Sequence, residues 1–158
     1  VIAGSMQLSQ GQISWKHNEL SISSTSIYHQ VSICAPYLEL VEEMTFEEFI
    51  NYHSRFKPLQ ASLETIAERT GLRRAIHKQI RHFSSGMKQR AKLAQSIFSD
   101  TAILLLDEPC TNLDANGIAM YHQLIDEYGK NRLIVVSSND ETEYSFCKER
   151  IEIMKFKE

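Results

Sequence analysis

Beyond residue 100, the chain has two continuous apolar runs separated by a stretch with helical spacing. The runs cover residues 102–106 and 132–137, and the helical pattern covers 115–128, with Asp114 before it as a cap and Gly129 after it as a stop. Continuous apolar runs are typical of strands that are buried in a parallel sheet. The strand–helix–strand order therefore predicts an α/β fold, in which helices cover both faces of a parallel sheet.

The middle of the chain has apolar positions that recur at helical spacing. Thr45 and Glu48 have the three-residue separation of a capping box, Gly71 is a helix stop, and Ser84 is a candidate cap. The three predicted helices run from Thr45 to about Arg55, from about Pro58 to Thr70, and from Ser84 to about Ser99. This part of the chain is therefore expected to be mainly helical.

Shorter elements are predicted towards both ends of the chain. Residues 1–6 read as the last turn of a helix, with Gly4 as its stop. The other predicted elements are a hairpin made of 11–15 and 19–22, a strand at 28–35, a helix at about 140–147 and a strand at about 150–156. The start of the chain is thus expected to be rich in β-structure.

Composition restricts the function classes only loosely. The 158 residues, 42% of them hydrophobic, can bury one compact core. The 17 basic and 20 acidic residues are interspersed, so we expect no nucleic-acid partner. Three widely spaced cysteines fit a reducing compartment, the cytosol. No apolar run approaches the ~20 residues of a membrane-spanning helix, so we expect membrane association to be through a partner.

Two carboxylates stand where the first apolar run ends. Asp107 and Glu108 are expected at the carboxyl edge of the sheet, where α/β proteins bind ligands. An aliphatic run that ends in Asp is the pattern of a Walker B strand, whose carboxylate holds Mg²⁺ beside phosphate oxygens. The adjacent Glu108 could then accept a proton from an attacking water. The alternative is that this acidic pair merely ends a strand at the surface.

A serine–glycine turn opens the third predicted helix. Gly86 permits close approach, the hydroxyl groups of Ser84 and Ser85 can donate, and the helix amino terminus presents free N–H groups to an anion. This turn is suited to a phosphate group. The alternative is an ordinary helix cap, since Ser is a favoured cap residue in any helix.

In combination, these motifs resemble the nucleotide-binding domain of ATP-binding cassette (ABC) transporters. Phe83-Ser84-Ser85-Gly86-Met87 stands where that family has its LSGGQ signature, residues 103–108 match Walker B with the catalytic glutamate, and Thr111-Asn112-Leu113-Asp114 matches the D-loop. The resemblance implies a partial P-loop NTPase-like ABC ATPase domain with an inserted helical subdomain. Its expected parts are 1–35 and 100–158 for the ATP-binding core and 36–99 for the helical subdomain, which ends in the signature helix.

The resemblance also implies an ATPase subunit that energises transport, with ATP and Mg²⁺ as its cofactors. Asp107 would hold Mg²⁺ through water, Glu108 would polarise the attacking water, and Asn139 stands at the position of the switch histidine. The expected nucleotide contacts are Ser84, Ser85, Gly86, Met87 and Asp114. The implied partners are a transmembrane permease subunit and a second nucleotide-binding domain, in a homo- or heterodimer on the cytoplasmic face of the membrane.

Three departures from the family pattern affect these expectations. No G-x-x-x-x-G-K-[ST] loop occurs in the sequence, so we expect that loop upstream of Val1 and expect the 158 residues alone to be inactive. Ala35 stands where the family has its Q-loop glutamine, and Asn139 can donate a hydrogen bond but cannot carry a charge. The alternatives are a non-hydrolysing regulatory subunit and a soluble ABC-family ATPase that acts on nucleic acid or ribosomes.

Overall fold

The structure is a computed structural model that describes residues 1–17 and 20–156. Five strands and five α-helices occur in the described part of the chain. The strands are β1 (Trp15–His17), β2 (Leu20–Ile22), β3 (Val31–Cys34), β4 (Ile103–Asp107) and β5 (Leu133–Ser137). The helices are α1 (Phe46–Ser54), α2 (Leu63–Arg69), α3 (Ser85–Ile97), α4 (Ala115–Tyr128) and α5 (Glu141–Tyr144). Short 3₁₀ helices cover Ile27–Gln30, Arg73–Ala75, Ile80–His82 and Ile153–Phe156.

The main sheet has three parallel strands in the order β3-β4-β5, while β1 and β2 form a separate antiparallel hairpin. In the main sheet, Leu106 of the central strand lies between Cys34 and Val136, and Asp107 pairs with Ser137. The carboxyl ends of β4 and β5 therefore meet at one edge. This confirms the α/β fold with a parallel sheet that the apolar runs predicted.

One face of this sheet carries the main hydrophobic core. Cys34, Leu104 and Leu106 are buried on that face with side chains of α3 and α4. Ile103 and Leu105 point to the opposite face and are only half-buried. Continuous apolar runs predicted helices on both faces; in the described residues the main hydrophobic cluster lies on one face, and Ile27 and Val31 are buried outside that cluster.

Side-chain caps fix the starts of the helices that surround the core. The capping box at Thr45 and Glu48 is present, Ser84 Oγ accepts from the Met87 N–H at 3.3 Å, and Asp114 Oδ1 accepts from the Gly117 N–H at 2.8 Å. A cap of this kind contributes about 1 kcal/mol. All three cap predictions are therefore confirmed, and they place the starts of α1, α3 and α4 correctly.

The second predicted helix begins later than its apolar pattern suggests. It starts at Leu63 with Ser62 as its cap, because the preceding residues pair with the segment that follows α3. The Gln60 N–H donates to the Phe98 carbonyl and the Asp100 N–H to the Pro58 carbonyl, both at 2.8 Å. This strand-like pairing satisfies backbone groups that a helix would otherwise have used.

The predictions at the two ends of the chain are partly wrong. Residues 1–6 contain no helix, and the Gly4 N–H closes a turn on the Val1 carbonyl at 2.8 Å, with Gly4 at φ 76°. In the predicted hairpin, β1 begins only at Trp15, and residue 19 lies outside the described residues.

The remaining differences concern two predicted strands and one helix. Residues 28–30 belong to a 3₁₀ helix, so β3 is shorter than predicted. The helix predicted at 140–147 is present as α5 but is shorter than predicted. Residues 150–156 alternate like a strand but end in a 3₁₀ helix, because no described strand lies beside them to supply hydrogen bonds.

Among the described helices, none has the length and apolar content needed to span a bilayer.

Candidate functional site

The acidic pair, Asp107 and Glu108, lies at the carboxyl edge of the sheet as predicted. Asp107 ends β4 and is half-buried, whereas Glu108 is exposed. The Glu108 N–H donates to the Ser137 carbonyl of β5 at 2.9 Å, and Glu108 has φ 42°, in the left-handed region. That region is uncommon for a residue with a side chain, so the turn after β4 is a specific conformation held by its neighbours.

The connecting loop, residues 109–114, leads from the acidic pair to α4. Buried side chains from two other helices hold its first peptide. Gln89 Nε2 of α3 donates to the Pro109 carbonyl at 2.7 Å, and the Cys110 N–H donates to Glu143 Oε1 of α5 at 2.7 Å. The loop is thus attached to α3 and to α5.

The serine turn, residues 84–87, forms the amino end of α3. Ser84 Oγ accepts from the Met87 N–H and the Ser84 carbonyl accepts from the Lys88 N–H at 2.9 Å. The first turn contains no acidic residue. In an α-helix the first N–H groups have no partner within the helix, so those of Ser85 and Gly86 are available to an anion.

The serine turn packs directly against the connecting loop. A Cβ atom at Gly86 would lie 3.0 Å from the Asn112 carbonyl, so any larger residue here would have to push the connecting loop away by a few tenths of an ångström. Arg90 Nη2 lies 3.3 Å from Asp114 Oδ1. A surface cleft is lined here by Ser84, Ser85, Gly86, Met87, Arg90, Asn112, Leu113 and Asp114. The structure therefore brings together all five predicted nucleotide contacts.

The predicted metal and catalytic residues form a separate group. Asp107, Glu108 and Asn139 do not line the cleft of the serine turn. Asn139 is exposed shortly after β5, next to Asp140, which caps α5 by accepting from the Thr142 N–H at 2.9 Å. Since β4 and β5 are neighbours, Asn139 lies at the same sheet edge as the acidic pair.

A second cleft of about 390 Å³ lies on the other side of the serine turn. Two of its lining residues are lysines of α3, and Lys92 Nζ donates to the Pro36 carbonyl at 2.6 Å. Ala35, at the position of the family's Q-loop glutamine, is fully buried at the end of β3. The backbone there is therefore tied to α3.

Buried thiols near the site remain protonated. Burial raises the pKa of Cys34 to about 12 and that of Cys110 to about 12, and the nearby Glu143 carboxylate adds to the rise at Cys110. A thiol with such a pKa carries almost no thiolate near neutral pH, and thiolate is the nucleophilic form. Neither cysteine is a candidate nucleophile.

The donor set at the acidic pair suits one kind of metal. Among the described residues, no group of three or more His, Cys, Asp or Glu side chains could hold a metal ion. Mg²⁺ is commonly bound by one or two carboxylates and keeps several waters or phosphate oxygens. The single carboxylate of Asp107 fits that ion and does not fit an all-protein metal cage.

Sequence motifs assigned no role to three residues that hold the site together. Gln89 and Arg90 are one turn into α3, and Glu143 lies in α5. Their partners are 20 to 33 residues away along the chain, as for Gln89 with Pro109 and Glu143 with Cys110. The available signal was a polar side chain one helical turn from an apolar residue, as for Gln89, which lies four residues before Leu93.

Comparison with known proteins identifies the family. The ABC transporter family model matches residues 1–111, which is more than half of the chain. The chain belongs to the ABC transporter family. The family that the motifs indicated is thus confirmed, and so is the ABC ATPase fold.

Individual ABC proteins are similar over part of their length. The cytochrome c biogenesis ATP-binding export protein CcmA of Cupriavidus pinatubonensis is 29% identical over 131 residues, which are 81% of this chain and 58% of CcmA. The ABC transporter ATP-binding protein NatA of Bacillus subtilis is 28% identical over 105 residues, 63% of this chain and 43% of NatA. The chain therefore spans about half the length of these relatives.

A solved structure of an ATP binding subunit of an ABC transporter has the same fold. The two structures superimpose with a TM-score of 0.78 at 23% sequence identity. The alignment covers 92% of this chain and 63% of the solved chain. The described parallel sheet and its helices thus correspond to part of an ABC ATPase domain.

Proposed function

We propose that this ABC protein is the ATP-binding and ATP-hydrolysing subunit of a transporter. The observation that carries the proposal is the acidic pair at the end of β4, which lies at the ligand-binding edge of a parallel sheet with Glu108 exposed and held at φ 42°. Membership of the family and the names of the relatives support it.

In this proposal the two carboxylates of the acidic pair have different tasks. Asp107, half-buried at the strand end, holds Mg²⁺ through water. When bound there, Mg²⁺ would offset charge on the phosphate oxygens. Glu108 is exposed beside it, so its carboxylate can orient the attacking water and accept a proton from it. Asn139 donates a hydrogen bond to the γ-phosphate from the neighbouring strand end.

The serine turn serves a second copy of the nucleotide-binding domain. Its free N–H groups and hydroxyl groups face a cleft away from the acidic pair of the same chain, so within one chain the two groups do not share a ligand. A head-to-tail homo- or heterodimer supplies Ser84, Ser85, Gly86 and Met87 to the γ-phosphate held by the partner. Asp114, which bonds Arg90 beside the turn, links the two sites.

The helical part of the chain is the proposed docking region for a transmembrane permease subunit. Tyr37, Leu38 and Val41 are exposed apolar residues that precede α1, at 74%, 38% and 42% exposure. Their exposure leaves an apolar surface that a membrane subunit can cover. Docking there places the protein on the cytoplasmic face of the membrane, with 36–99 as the helical subdomain and 1–35 and 100–158 as parts of the ATP-binding core.

Replacement of the proposed general base tests this function. In the full-length protein, Glu108→Gln should abolish ATP hydrolysis while it leaves Mg-ATP binding and nucleotide-driven dimers intact, because the amide keeps the shape but cannot accept the proton. Glu141→Gln, an exposed change at the start of α5, is the matched control. Hydrolysis at the wild-type rate in Glu108→Gln would contradict the role of Glu108. Binding without hydrolysis in the wild type would instead indicate a regulatory subunit.

A further inference from the structure

One peptide group beside the acidic pair is held at both ends by buried side chains. The Pro109 carbonyl and the Cys110 N–H belong to the same planar peptide unit. Gln89 Nε2 donates to that carbonyl at 2.7 Å, and Glu143 Oε1 accepts from that N–H at 2.7 Å. The position and the orientation of the peptide plane are therefore both fixed from outside the loop.

Both side chains are buried, so each depends on hydrogen bonds within the protein. Gln89 is 3% exposed and Glu143 is 5% exposed. Removing an amide or a carboxylate from water is unfavourable unless hydrogen bonds replace the lost hydration. Glu143 Oε2 is nevertheless buried with no hydrogen-bond partner among the described residues. The carboxylate thus occupies a costly position, and its one described side-chain hydrogen bond is to the Cys110 N–H.

The held peptide, which joins Pro109 to Cys110, begins one residue after Glu108. On its amino side, Glu108 is attached to β5 by its N–H to the Ser137 carbonyl. On its carboxyl side, the chain enters the held peptide after a single proline, whose ring restricts φ. Glu108 itself has φ 42°, a conformation that persists only when its surroundings impose it. The attachments on the two sides can impose it.

Glu143 is itself fixed in place. The Tyr121 hydroxyl of α4 donates to the Glu143 carbonyl at 2.8 Å, and the Glu143 N–H donates to the Asp140 carbonyl at 3.0 Å. Asp140 is adjacent to Asn139, at the position of the family's switch residue. Glu143 therefore connects the two places: its backbone N–H bonds the backbone next to Asn139, and its carboxylate bonds the backbone near Glu108.

We propose that Gln89 and Glu143 form a peptide clamp on the Pro109–Cys110 peptide that positions Glu108 for its reaction. The clamp also links Glu108 to α3, which carries the serine turn, and to α5, which follows Asn139. Gln89 and Glu143 are positioning residues, since they act through the backbone. The catalytic part of this inference rests on the proposed ATPase function.

Steady-state kinetics of the full-length protein test the clamp. Glu143→Ala should lower kcat for ATP about 10- to 100-fold, because a general base displaced by about 1 Å loses that much rate. KM for ATP should change less than about threefold, since binding does not depend on Glu108. Glu143→Gln, which keeps an acceptor oxygen, should recover part of kcat. Glu141→Ala, an exposed change on the same helix, is the matched control.

Gln89→Met gives an independent variant, because it roughly keeps the side-chain volume and removes the amide that donates to the Pro109 carbonyl. It should lower kcat in the same way, with Gln123→Met on an exposed part of α4 as its control. Both residues hold one peptide, so the double variant Gln89→Met/Glu143→Gln should be less impaired than the product of the single effects. Multiplicative effects, or an unchanged kcat in folded single variants, would overturn the clamp.

Amide hydrogen exchange at Cys110 separates the clamp from the ATPase proposal. In the wild type this N–H should be strongly protected; protection should fall most in Glu143→Ala and by a smaller amount in Glu143→Gln, which is the readout if the alanine variant does not fold. Exchange at the rate of an unstructured loop in the wild type would overturn the clamp, whatever the activity. A wild type whose Cys110 N–H is protected but which does not hydrolyse ATP would overturn the ATPase proposal and the catalytic role of the clamp, but not its structure.

Discussion

Asp114 combines a helix cap with an ion pair at the candidate site, which allows a quantitative prediction for its removal. Its Oδ1 accepts from the Gly117 N–H at 2.8 Å and lies 3.3 Å from Arg90 Nη2. Loss of an N-cap to alanine costs about 1 kcal/mol. The ion pair is solvent-screened, since the Asp114 side chain is 70% exposed, and contributes about 0.5 kcal/mol.

Asp114→Ala should therefore lower the free energy of unfolding by about 1.5 kcal/mol. For a chain of this size, the melting temperature should fall by about 3–6 °C. Asp114→Asn should cost only about 0.5 kcal/mol, because asparagine keeps the cap and loses only the charge. The measurement is urea unfolding followed by far-ultraviolet circular dichroism.

Ser62 is a control cap that lies outside the candidate site, so its removal measures the cost of losing a helix cap alone. Ser62 caps α2 away from the serine turn, and its Oγ accepts from the Thr65 N–H at 3.3 Å. Ser62→Ala should cost about 1 kcal/mol without the ion-pair contribution. Equal stability of Asp114→Ala and Asp114→Asn would refute the reasoning, because it would mean that the cap bond to Gly117 contributes nothing.

Three further predictions concern the core, pH and thiol reactivity. Leu104→Ala, at a fully buried position of β4, should lower stability by about 3 kcal/mol, whereas Leu133→Ala, at 57% exposure, should change it by less than about 0.5 kcal/mol in urea titrations. Burial, and then the nearby Lys57 ammonium, lowers the pKa of His53 from 6.5 to about 4. The contribution of His53 to the free energy of unfolding should therefore be complete above about pH 6.5 and decrease as the pH falls towards 4. Urea unfolding midpoints should show this decrease in the wild type and not in His53→Gln. A thiol reagent should label Cys147 before the two buried cysteines, as read by mass spectrometry.

Local signals in the sequence predicted the helix starts well. The cap residues Thr45, Ser84 and Asp114 each act within three residues of their own position, so the sequence alone contains the information. The apolar runs of β4 and β5 were equally clear, because burial in a parallel sheet leaves a continuous pattern. The position of the acidic pair at the sheet edge followed from those strands.

Contacts between distant segments were not predictable in this way. The start of α2 was wrong because residues 58–60 pair with 98–100, and no local pattern indicates such pairing. The strand predicted at 150–156 failed for the opposite reason, since alternation forms a strand only beside a partner. Gln89 and Glu143 bond the Pro109–Cys110 peptide across the fold, so their place at the site became visible only in three dimensions.

The structure of the full-length Glu108→Gln variant with Mg-ATP tests the central claim most directly. The account predicts a dimer in which Mg²⁺ lies one water away from Asp107 of one subunit, and the amino end of the other subunit's α3 contacts the same γ-phosphate. A nucleotide bound away from the carboxyl edge of β4, or an α3 amino end that contacts no nucleotide in the dimer, would contradict the account.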